Sequence, residues 1–345
     1  MNKISIKFLK AFWGDCFLLK FNNDKKTTFL IDGGVKRAFK DNIVGILKQE
    51  YGTSLNNYVF LTHIDDDHIG GIEYCFERHV DLANSNGIIF NTFDSLLKLA
   101  PNAEDSPPYI YINDAESGFT SYKQGKRLEQ KLEESGIKVF SNIVSETQIC
   151  LDGILITFLS PSINSMSKYK SWKDKQETAY TAAQTSDYTK SIEDLIDRPF
   201  YEDGSPTNSS SLSMLIEYEG IKMLFLGDSL PSDVVATLKK LEYSFEKKLK
   251  VDVVKVSHHG SKQNTSPELL KMITCNKFLI STDGRIHGHP DKETLARIIF
   301  SQNCPELIFN YDIYKKIFSK EELQSGLFTV NLFEEIVIDE KCNTK

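Results

Sequence analysis

Apolar and polar positions alternate along the first part of the chain in short runs that predict a β-meander. Residues 4–9 alternate, residues 16–21 are mostly apolar, and residues 28–31 lead into the turn Asp32-Gly33-Gly34. Helical spacing of apolar residues marks four later segments: 42–51, 124–136, 267–273 and 292–301. Further strand-like runs occupy 58–61, 154–159, 212–218, 223–226, 249–256 and 277–281, and residues 327–338 predict a closing strand pair. Strands and helices thus recur in two halves of the chain, without a repeat of fixed period.

One segment departs from this pattern. Residues 163–207 are polar, rich in Lys, Ser, Thr and Tyr, and poor in aliphatic side chains. A connection of this length between strands indicates either a functional loop or a disordered segment. We expect a solvated polar insertion within a single domain of residues 1–345, and this insertion could act as a lid, bind a partner or be disordered.

Composition narrows the class of protein. With 40% hydrophobic residues, 22 Phe and 14 Tyr, the 345-residue chain can bury a sizeable core. No apolar run approaches the ~20 residues that span a bilayer, and the first residues lack the apolar centre of a signal peptide. The six cysteines lack C-x-x-C spacing, as is usual in a reducing cytoplasm. We therefore expect a cytoplasmic protein without membrane association.

The net charge of −7 argues against a uniformly basic nucleic-acid-binding protein. It does not exclude nucleic acid as a substrate, because bound divalent metals and local lysine clusters can reverse the sign of the potential at a site.

The segment 63–68 concentrates ionisable side chains. It packs two histidines and three aspartates into six positions directly after the apolar run 58–61. So many ionisable groups in one tight turn resist burial unless a cation neutralises them. The segment therefore predicts a metal site at a strand end, and with it a metal-dependent hydrolase.

The remaining histidines and one further acid also follow strand-like runs. Asp228 follows 223–226, His258 and His259 follow 249–256, and His287 and His289 follow 277–281. Six of the seven histidines thus lie in three strand-end loops, and only His79 lies elsewhere. A lone histidine is usually structural or merely exposed, so we assign no role to His79 and leave that of His287 open.

These motifs resemble a known family. The pattern His63-x-Asp65-x-Asp67-His68 resembles the H-x-[HD]-x-D-H signature of the metallo-β-lactamase superfamily. Asp228, after a glycine, resembles its bridging aspartate, and the His-His-Gly-Ser segment 258–261 resembles its later histidine motif.

The chain resembles in particular the soluble metallo-β-lactamase-like domain of the DNA-uptake channel ComEC and its free-standing relatives. Those proteins have aspartate at the second motif position, the His-His-Gly-Ser loop and a terminal Gly-His-Pro, here residues 288–290. The segments 14–15 and 31–34 also look like that family's opening strands. The resemblance covers residues 4 to about 162 and 208–338, and DNA transport does not carry over because the channel's membrane portion is absent.

The resemblance implies an α/β fold, a four-layer αββα sandwich with two mixed sheets. It further implies two divalent ions, Zn²⁺ or Mn²⁺, bridged by Asp228. His63 and Asp65 would bind one ion, and Asp67, His68 and one histidine of the 258–259 pair would bind the other.

One expected ligand is missing. The superfamily usually has a histidine between the first motif and the aspartate, yet residues 80–257 contain none. Asn208 resembles an asparagine that the ComEC-like proteins often carry there, and an amide oxygen is a weaker ligand than imidazole. We therefore expect the ion at His63 and Asp65 to be held more loosely.

Adjacent residues of an extended backbone point in opposite directions. We therefore expect one of His258 and His259 to bind metal while the other faces the substrate, and the sequence leaves open which. A histidine that faces the substrate would join Asp67 and His289 as a candidate catalytic residue. His289, which we expect its Gly-His-Pro turn to expose, could bind phosphate oxygens or protonate the leaving group.

By the same resemblance, the expected reaction is attack of a metal-activated water on a phosphodiester, in DNA, RNA or a nucleotide. Two alternatives remain: a hydrolase of a carboxylic ester, lactone or thioester, and a non-catalytic binding or scaffold protein that kept the fold. Basic side chains near Lys262 or Arg285 would favour the phosphodiester, and a deep apolar pocket would favour the ester. The oligomeric state is open.

Overall fold

The computed structural model describes residues 3–51, 54, 56–79, 85–92, 95–96, 117–166 and 186–339. Its strands are β1 (Lys3–Phe8), β2 (Phe17–Phe21), β3 (Thr28–Ile31), β4 (Asn57–Phe60), β5 (Gly87–Ile89), β6 (Val139–Phe140), β7 (Gln148–Leu151), β8 (Ile154–Ser160), β9 (Ser213–Tyr218), β10 (Ile221–Phe225), β11 (Leu249–Lys250), β12 (Val253–Lys255), β13 (Ile273–Thr274), β14 (Lys277–Ile280), β15 (Glu306–Phe309), β16 (Thr329–Leu332) and β17 (Glu335–Asp339).

The described helices are α1 (Lys36–Ala38), α2 (Val44–Tyr51), α3 (Asp66–Arg78), α4 (Ser117–Ser135), α5 (Ile192–Ile196), α6 (Pro206–Ser209), α7 (Pro231–Lys240), α8 (Pro267–Met272), α9 (Lys292–Ser301), α10 (Tyr314–Ile317) and α11 (Lys320–Gln324). A π-helical segment (Phe39–Ile43) joins α1 to α2, and a 3₁₀ turn (Ser257–Gly260) follows β12. Among the described residues, no helix has both the length and the apolar composition of a membrane span.

Two large mixed sheets form the centre of the fold. The first has the order β17-β1-β2-β3-β4-β5-β6, and the second has the order β16-β15-β14-β12-β10-β9-β8-β7. In the first sheet the neighbours from β17 to β3 are antiparallel and those from β3 to β6 are parallel. The second sheet is parallel from β16 to β10 and antiparallel from β10 to β7. The two halves of the chain thus build sheets of the same design.

Because side chains alternate between the two faces of each strand, the buried apolar side chains form three separate clusters, one between the sheets and one under the helices on each outer face. In β9, Met214 and Ile216 pack against the first sheet, while Leu215 packs under the helices of the second sheet. In β2, Leu19 faces the second sheet and Leu18 faces the helices of its own side. The order of layers is therefore helix, sheet, sheet, helix, and the predicted four-layer sandwich is confirmed.

The C-terminal strand prediction was wrong in its pairing. Residues 329–332 and 335–339 are both strands, but β16 pairs with β15 in the second sheet and β17 pairs with β1 in the first. The chain crosses between the sheets after Leu332, so each strand forms the edge of a different sheet. The expected single strand at 249–256 is also divided, into β11 and β12.

The described part of the polar segment contributes to the helical layer of the second sheet. Ile192 and Leu195 of α5 are fully buried in that layer. The Asp187 carboxylate caps α9, because its oxygens accept from the backbone N–H of Lys292 at 3.0 Å and of Glu293 at 2.9 Å. Residues 186–207 therefore contribute two core side chains and a helix cap, and most of their other side chains are exposed or half-buried. Residues 167–185 lie outside the described part of the chain, and a lid or partner site there stays a prediction.

Candidate metal centre

The sequence-predicted site residues converge at one edge of the two sheets. Strands β3 and β4 are parallel in the first sheet, and β10, β12 and β14 are parallel in the second. Parallel strands place their carboxyl ends at the same edge of a sheet, which is where α/β proteins bind ligands. The loops after these strands carry Asp32, the 63–68 motif, Asp228, His258 with His259, and His289.

The 63–68 motif is a loop that becomes a helix. His63 lies in the loop, Asp65 is the N-cap residue with extended backbone (φ −69°, ψ 145°), and Asp67 and His68 lie in the first turn of α3. The positive end of the helix dipole favours carboxylates at this position. The turn before β2 packs against it: Asp15 N–H donates to the Asp67 carbonyl at 3.1 Å, and a Cβ on Gly14 would lie 2.0 Å from that same oxygen. Only glycine therefore fits at position 14.

The carboxylate of Asp228 lies at the middle of the cluster. Its Oδ2 is 3.8 Å from Nε2 of His63, 3.3 Å from Nε2 of His68, 3.7 Å from Nε2 of His258 and 3.8 Å from Nε2 of His259. Four imidazole nitrogens thus point at one carboxylate oxygen, the arrangement needed around a bridging ligand.

Two other carboxylates divide the cluster into two sides. On the first side, Asp65 Oδ2 is 3.4 Å from His63 Nε2. On the second side, Asp67 Oδ2 is 3.3 Å from His259 Nε2 and 4.0 Å from His68 Nε2. The first side is defined here by His63 and Asp65 and the second side by Asp67, His68 and His259, as the motif resemblance implied.

In each of the four histidines around Asp228, the Nδ1 atom, which points away from the cluster, has a hydrogen-bond partner. Nδ1 of His68 donates to Asp32 Oδ2 at 2.8 Å, and Nδ1 of His259 donates to the Ser281 carbonyl at 2.9 Å. The other two nitrogens lie 3.0 Å from acceptors: Nδ1 of His63 from Thr62 Oγ1 and Nδ1 of His258 from Asn264 Oδ1. Partners of this kind fix the tautomer so that the Nε2 lone pair faces a metal.

The inward atoms lack such partners. Within the described residues, Nε2 of His63, His68 and His259, Oδ1 of Asp228 and Oδ1 of Asn208 are buried without a hydrogen-bond partner. Buried polar atoms are normally hydrogen-bonded, and three unpaired imidazole nitrogens around one Asp228 oxygen indicate a site that could hold a cation. The donor set of imidazoles, carboxylates and an amide fits a divalent transition metal.

The charges of the cluster are strongly coupled. Burial opposes the charged forms, but the histidines His68 and His259 outweigh it and hold the pKa of the Asp67 carboxyl below its usual range. Burial likewise opposes charging of His68, yet Asp228, Asp32 and Asp67 raise the pKa of His68 well above its ordinary value. The acids thus stay ionised and attract cations.

The expectation that His258 and His259 point in opposite directions was wrong. It assumed an extended backbone, whereas both residues have left-handed conformations, with φ of 46° and 51°. The 3₁₀ turn therefore aims both Nε2 atoms at Asp228. His259 lies on the second side with Asp67. His258 lies beside Asn208, whose Nδ2 is 3.3 Å from its Nδ1.

Asn208 is oriented by a residue that the sequence did not reveal. Its amide nitrogen donates to Asp203 Oδ2 at 2.6 Å, which leaves Oδ1 as the buried, unpaired oxygen. Since a carboxylate only accepts, this contact fixes which end of the amide is oxygen. The preceding residue Thr207 donates to Asp65 Oδ2 at 3.0 Å. Helix α6 thus brings Asn208 to the first side.

Four further residues support the centre and were not predicted as part of it. Asp15 contacts His259 Nδ1 at 3.3 Å and forms a buried ion pair with Lys255. Lys255 also donates to the Gly227 carbonyl at 3.0 Å and lies 3.8 Å from Asp228 Oδ1. Asp32 accepts a hydrogen bond from His68, and Asp203 accepts one from Asn208. A lysine inside the apolar run 249–256 was a signal for Lys255, since a buried lysine requires a partner.

One group of four buried side chains is compact enough to hold a metal ion. Its possible ligand atoms all lie within 4.8 Å of one another, and they belong to Asp15, His68, Asp228 and His259. Because Asp15 is already paired with Lys255 and faces Nδ1 of His259, Asp67 is the better placed carboxylate for the second side.

The other histidines differ in placement. His289 is 5% exposed, so the expectation that its turn exposes it was wrong. Its ring centroid is 5.0 Å from that of His258, and burial lowers the pKa of His289 to about 4. His287 is exposed beside it, and His79 follows α3 and contacts Tyr74.

Comparison with known proteins gives distant structural similarity. No family model and no curated protein matches the sequence. Among solved structures, Zn²⁺-bound PqqB from Methylobacterium extorquens has 12% identity and a TM-score of 0.44 over 95% of this chain and 88% of that chain. A diphosphatase of the PhnP family has 9% identity and a TM-score of 0.43 over 98% of both chains. Rm3 metallo-β-lactamase has 13% identity and a TM-score of 0.30 over 73% of this chain and 76% of that chain.

Similarity at these TM-scores carries no argument about family or activity, and the particular resemblance to ComEC stays a prediction. The architecture rests on the chain's own layers and on the strand-end cluster at the edge of its two mixed sheets. The fold is therefore a four-layer αββα sandwich with two mixed sheets.

Proposed function

We propose that the protein is a metal-dependent hydrolase of phosphodiesters in DNA, RNA or nucleotides. The observation that carries this proposal is the set of four imidazole Nε2 atoms within 3.3–3.8 Å of one Asp228 oxygen. A scaffold protein would gain nothing from these buried, unpaired donors, which cost stability without a cation.

In this proposal the two sides of the cluster hold two divalent ions, Zn²⁺ or Mn²⁺. The first side uses His63, Asp65, the Asn208 amide oxygen and His258. The second side uses Asp67, His68 and His259, and Asp228 bridges the two. His258 thereby replaces the histidine that the sequence lacks between the first motif and Asp228.

When bound, two such ions lower the pKa of a shared water and stabilise charge on the attacked group and the leaving oxygen. The chain's own residues hold the geometry: Asp32 and Ser281 keep Nδ1 of His68 and His259 protonated, so that Nε2 faces inward. Because its pKa is about 4, His289 is neutral at pH 7. It can donate a hydrogen bond to a phosphate or leaving oxygen, but it does not supply a positive charge.

Basic side chains at the site favour a phosphodiester over a carboxylic ester. Lys262 follows the 258–261 loop and lies 3.5 Å from Asp291 Oδ1. Arg285 lies on the loop of His289, with 64% of its side chain exposed. The two side chains are 30% and 64% exposed on loops of the centre, where basic groups favour an anionic substrate.

The test combines metal analysis with a substrate panel. We expect one or two equivalents of Zn²⁺ or Mn²⁺ by elemental analysis, and metal-dependent hydrolysis of a bis-aryl phosphodiester and of single-stranded DNA. Aryl acetate, lactone and thioester substrates, assayed at matched concentrations, should react more slowly. Absence of metal after titration with both ions, or faster turnover of the carboxylic esters, would contradict the proposal.

A further inference from the structure

The turn between β1 and β2 carries two aromatic side chains that are only partly buried. Phe12 and Trp13 stand between the buried residues Ala11 and Gly14. Their rings stack with centroids 6.2 Å apart and 23° between the planes. The guanidinium carbon of Arg285 lies 4.8 Å from the Phe12 ring centroid, within the range of a cation–π contact. Phe12, Trp13 and Arg285 are called the aromatic platform below.

The platform is held in an unfavourable backbone conformation. Phe12 has φ of 62°, a value that bulky residues rarely adopt. Its N–H donates to the Tyr311 hydroxyl at 2.8 Å, and its carbonyl accepts from Asp283 N–H at 2.9 Å. The Asp283 carboxylate in turn accepts from Arg285 Nε at 2.7 Å. Such strain persists only where the surroundings impose it, and it clusters at ligand sites.

The platform adjoins the metal centre. Trp13 is two residues from Asp15, and two residues span at most roughly 7 Å. The Asp15 carboxylate is 3.3 Å from His259 Nδ1, and its N–H bonds to the Asp67 carbonyl. On the other flank, Arg285 shares a loop with His289, whose ring is 5.0 Å from that of His258. The partly buried rings therefore border the place where the proposed scissile phosphate would lie.

We propose that the aromatic platform stacks an unpaired nucleobase next to the scissile phosphate, so that the substrate is a single-stranded oligonucleotide. This inference rests on the proposed phosphodiesterase function. Aromatic rings and guanidinium planes bind bases of any sequence by stacking, because every base has a π-face. Paired bases within a duplex are already stacked and cannot reach such a platform.

Binding can be measured apart from hydrolysis. The chain has two tryptophans, Trp13 and Trp172, so a Trp172→Phe background reports Trp13 alone. We expect oligothymidylate, added with a chelator to prevent cleavage, to quench Trp13 fluorescence. An abasic single strand of the same length keeps the phosphodiesters without the bases and should not quench it.

Hydrolysis of the same two strands gives the second readout. We expect Trp13→Ala to raise KM for oligothymidylate about tenfold, or about 1.4 kcal/mol, and to leave KM for the abasic strand unchanged. Trp13→Phe should restore most of the difference, since it keeps a stacking ring. Phe245→Ala removes an exposed aromatic ring on another loop and is the matched control.

Each result decides the inference. Quenching by oligothymidylate alone supports the platform, even if neither strand is cleaved and the proposed function fails. Cleavage of both strands with equal KM, no quenching and no effect of Trp13→Ala overturns the platform and leaves the function standing. If Trp13→Ala does not fold, Trp13→Leu, which keeps an apolar side chain without a stacking ring, gives the same comparison.

Discussion

The two sides of the Asp228 carboxylate are built from similar side chains but differ in burial. On the second side, the side chains of His68, His259 and Asp67 are 0%, 3% and 18% exposed. On the first side His63 is fully buried, but Asp65 is 27% and His258 is 24% exposed. The first side therefore opens to solvent, and a substrate would approach the centre there.

The groups behind the ligands differ in the same sense. On the second side, the Asp32 carboxylate directly accepts the Nδ1 proton of His68. On the first side, the Thr62 hydroxyl takes that place behind His63 and the Asn264 amide takes it behind His258, while the Asp203 carboxylate lies farther from His258 Nδ1, at 3.6 Å. A carboxylate behind an imidazole raises its basicity more than a neutral acceptor does. We infer a tight ion on the second side and a looser ion on the first.

The largest expected effect comes from removing a ligand of the second side. Asp67→Ala should abolish phosphodiester hydrolysis, a loss beyond the roughly 10- to 100-fold that an outer hydrogen-bond partner contributes. The melting temperature should change little, because the sheets carry the core and the loops carry the site.

Asp66→Asn is the matched control for that change. Asp66 is the adjacent acid in the same helical turn, but it accepts a hydrogen bond from Gln124 at 2.5 Å instead of facing the cluster. Turnover and metal content should remain near those of the wild type. Equal losses in the two variants would show that charge at the helix start matters, and not ligation by Asp67.

Substitution of the carboxylates that hold the ligands in place should change the affinities of the two ions separately. In Asp32→Asn, an amide N–H donor can take the place of the carboxylate oxygen that accepts the Nδ1 proton of His68. The second-side ion should then bind about 10- to 100-fold more weakly. Asp203→Asn should instead weaken the first-side ion, because Asp203 orients the amides of Asn208 and Asn264. Competition with a chromophoric chelator measures both affinities. The comparison fails if both variants lose the same ion.

Strand ends and chemistry made most of the site predictable. His63, His68 and Asp228 follow apolar runs in the sequence, and parallel strands bring such ends together. The alternation of a run shows its two faces but does not name its neighbour in the sheet. For that reason the strands of 327–338 were predicted, while their pairing with different sheets was not.

The parts that were missed depend on tertiary contacts or backbone conformation. Asp203 lies in a polar segment without periodicity, and only folding brings it to Asn208. The left-handed turn at His258 and His259 has no reliable signature in a sequence, because non-glycine residues rarely adopt it. Those two features decide that both histidines face Asp228 and that Asn208 presents its oxygen.

A stronger ligand at position 208 should reduce the difference in metal affinity between the two sides. In the wild type we expect unequal affinities at limiting metal, with activity rising as metal is added in excess. Asn208→His replaces an amide oxygen by imidazole and should tighten the first-side ion several-fold. Calorimetric titration and rate measurements on both proteins test this. Asn276→His, which adds an exposed imidazole elsewhere, is the control. Identical affinities would show that Asn208 is a structural residue of α6 and not a ligand.

The smallest expected effect is a pH dependence of the metal-free protein. Burial opposes protonation of both histidines, but Asp228 and Asp203 raise the pKa of His258 to about 9, and Asp15 and Asp228 raise that of His259 to about 10. Because these values exceed that of an unfolded histidine, about 6.5, the protonated forms stabilise the fold fully below that pH. This stabilisation is lost as pH rises through 9 to 10.

The melting temperature of the metal-free protein should therefore fall by a few degrees from pH 6.5 to 10. Bound metal requires neutral imidazoles, so metal affinity should rise over the same interval and binding should release protons. Calorimetry in buffers of different ionisation enthalpy counts those protons. In His258→Gln, the protons released by metal binding on the first side should be missing from that count. Since the His258 pKa is the lower one, the first side should reach its full affinity at a lower pH than the second. A metal-free melting temperature that rises with pH would contradict this charge assignment.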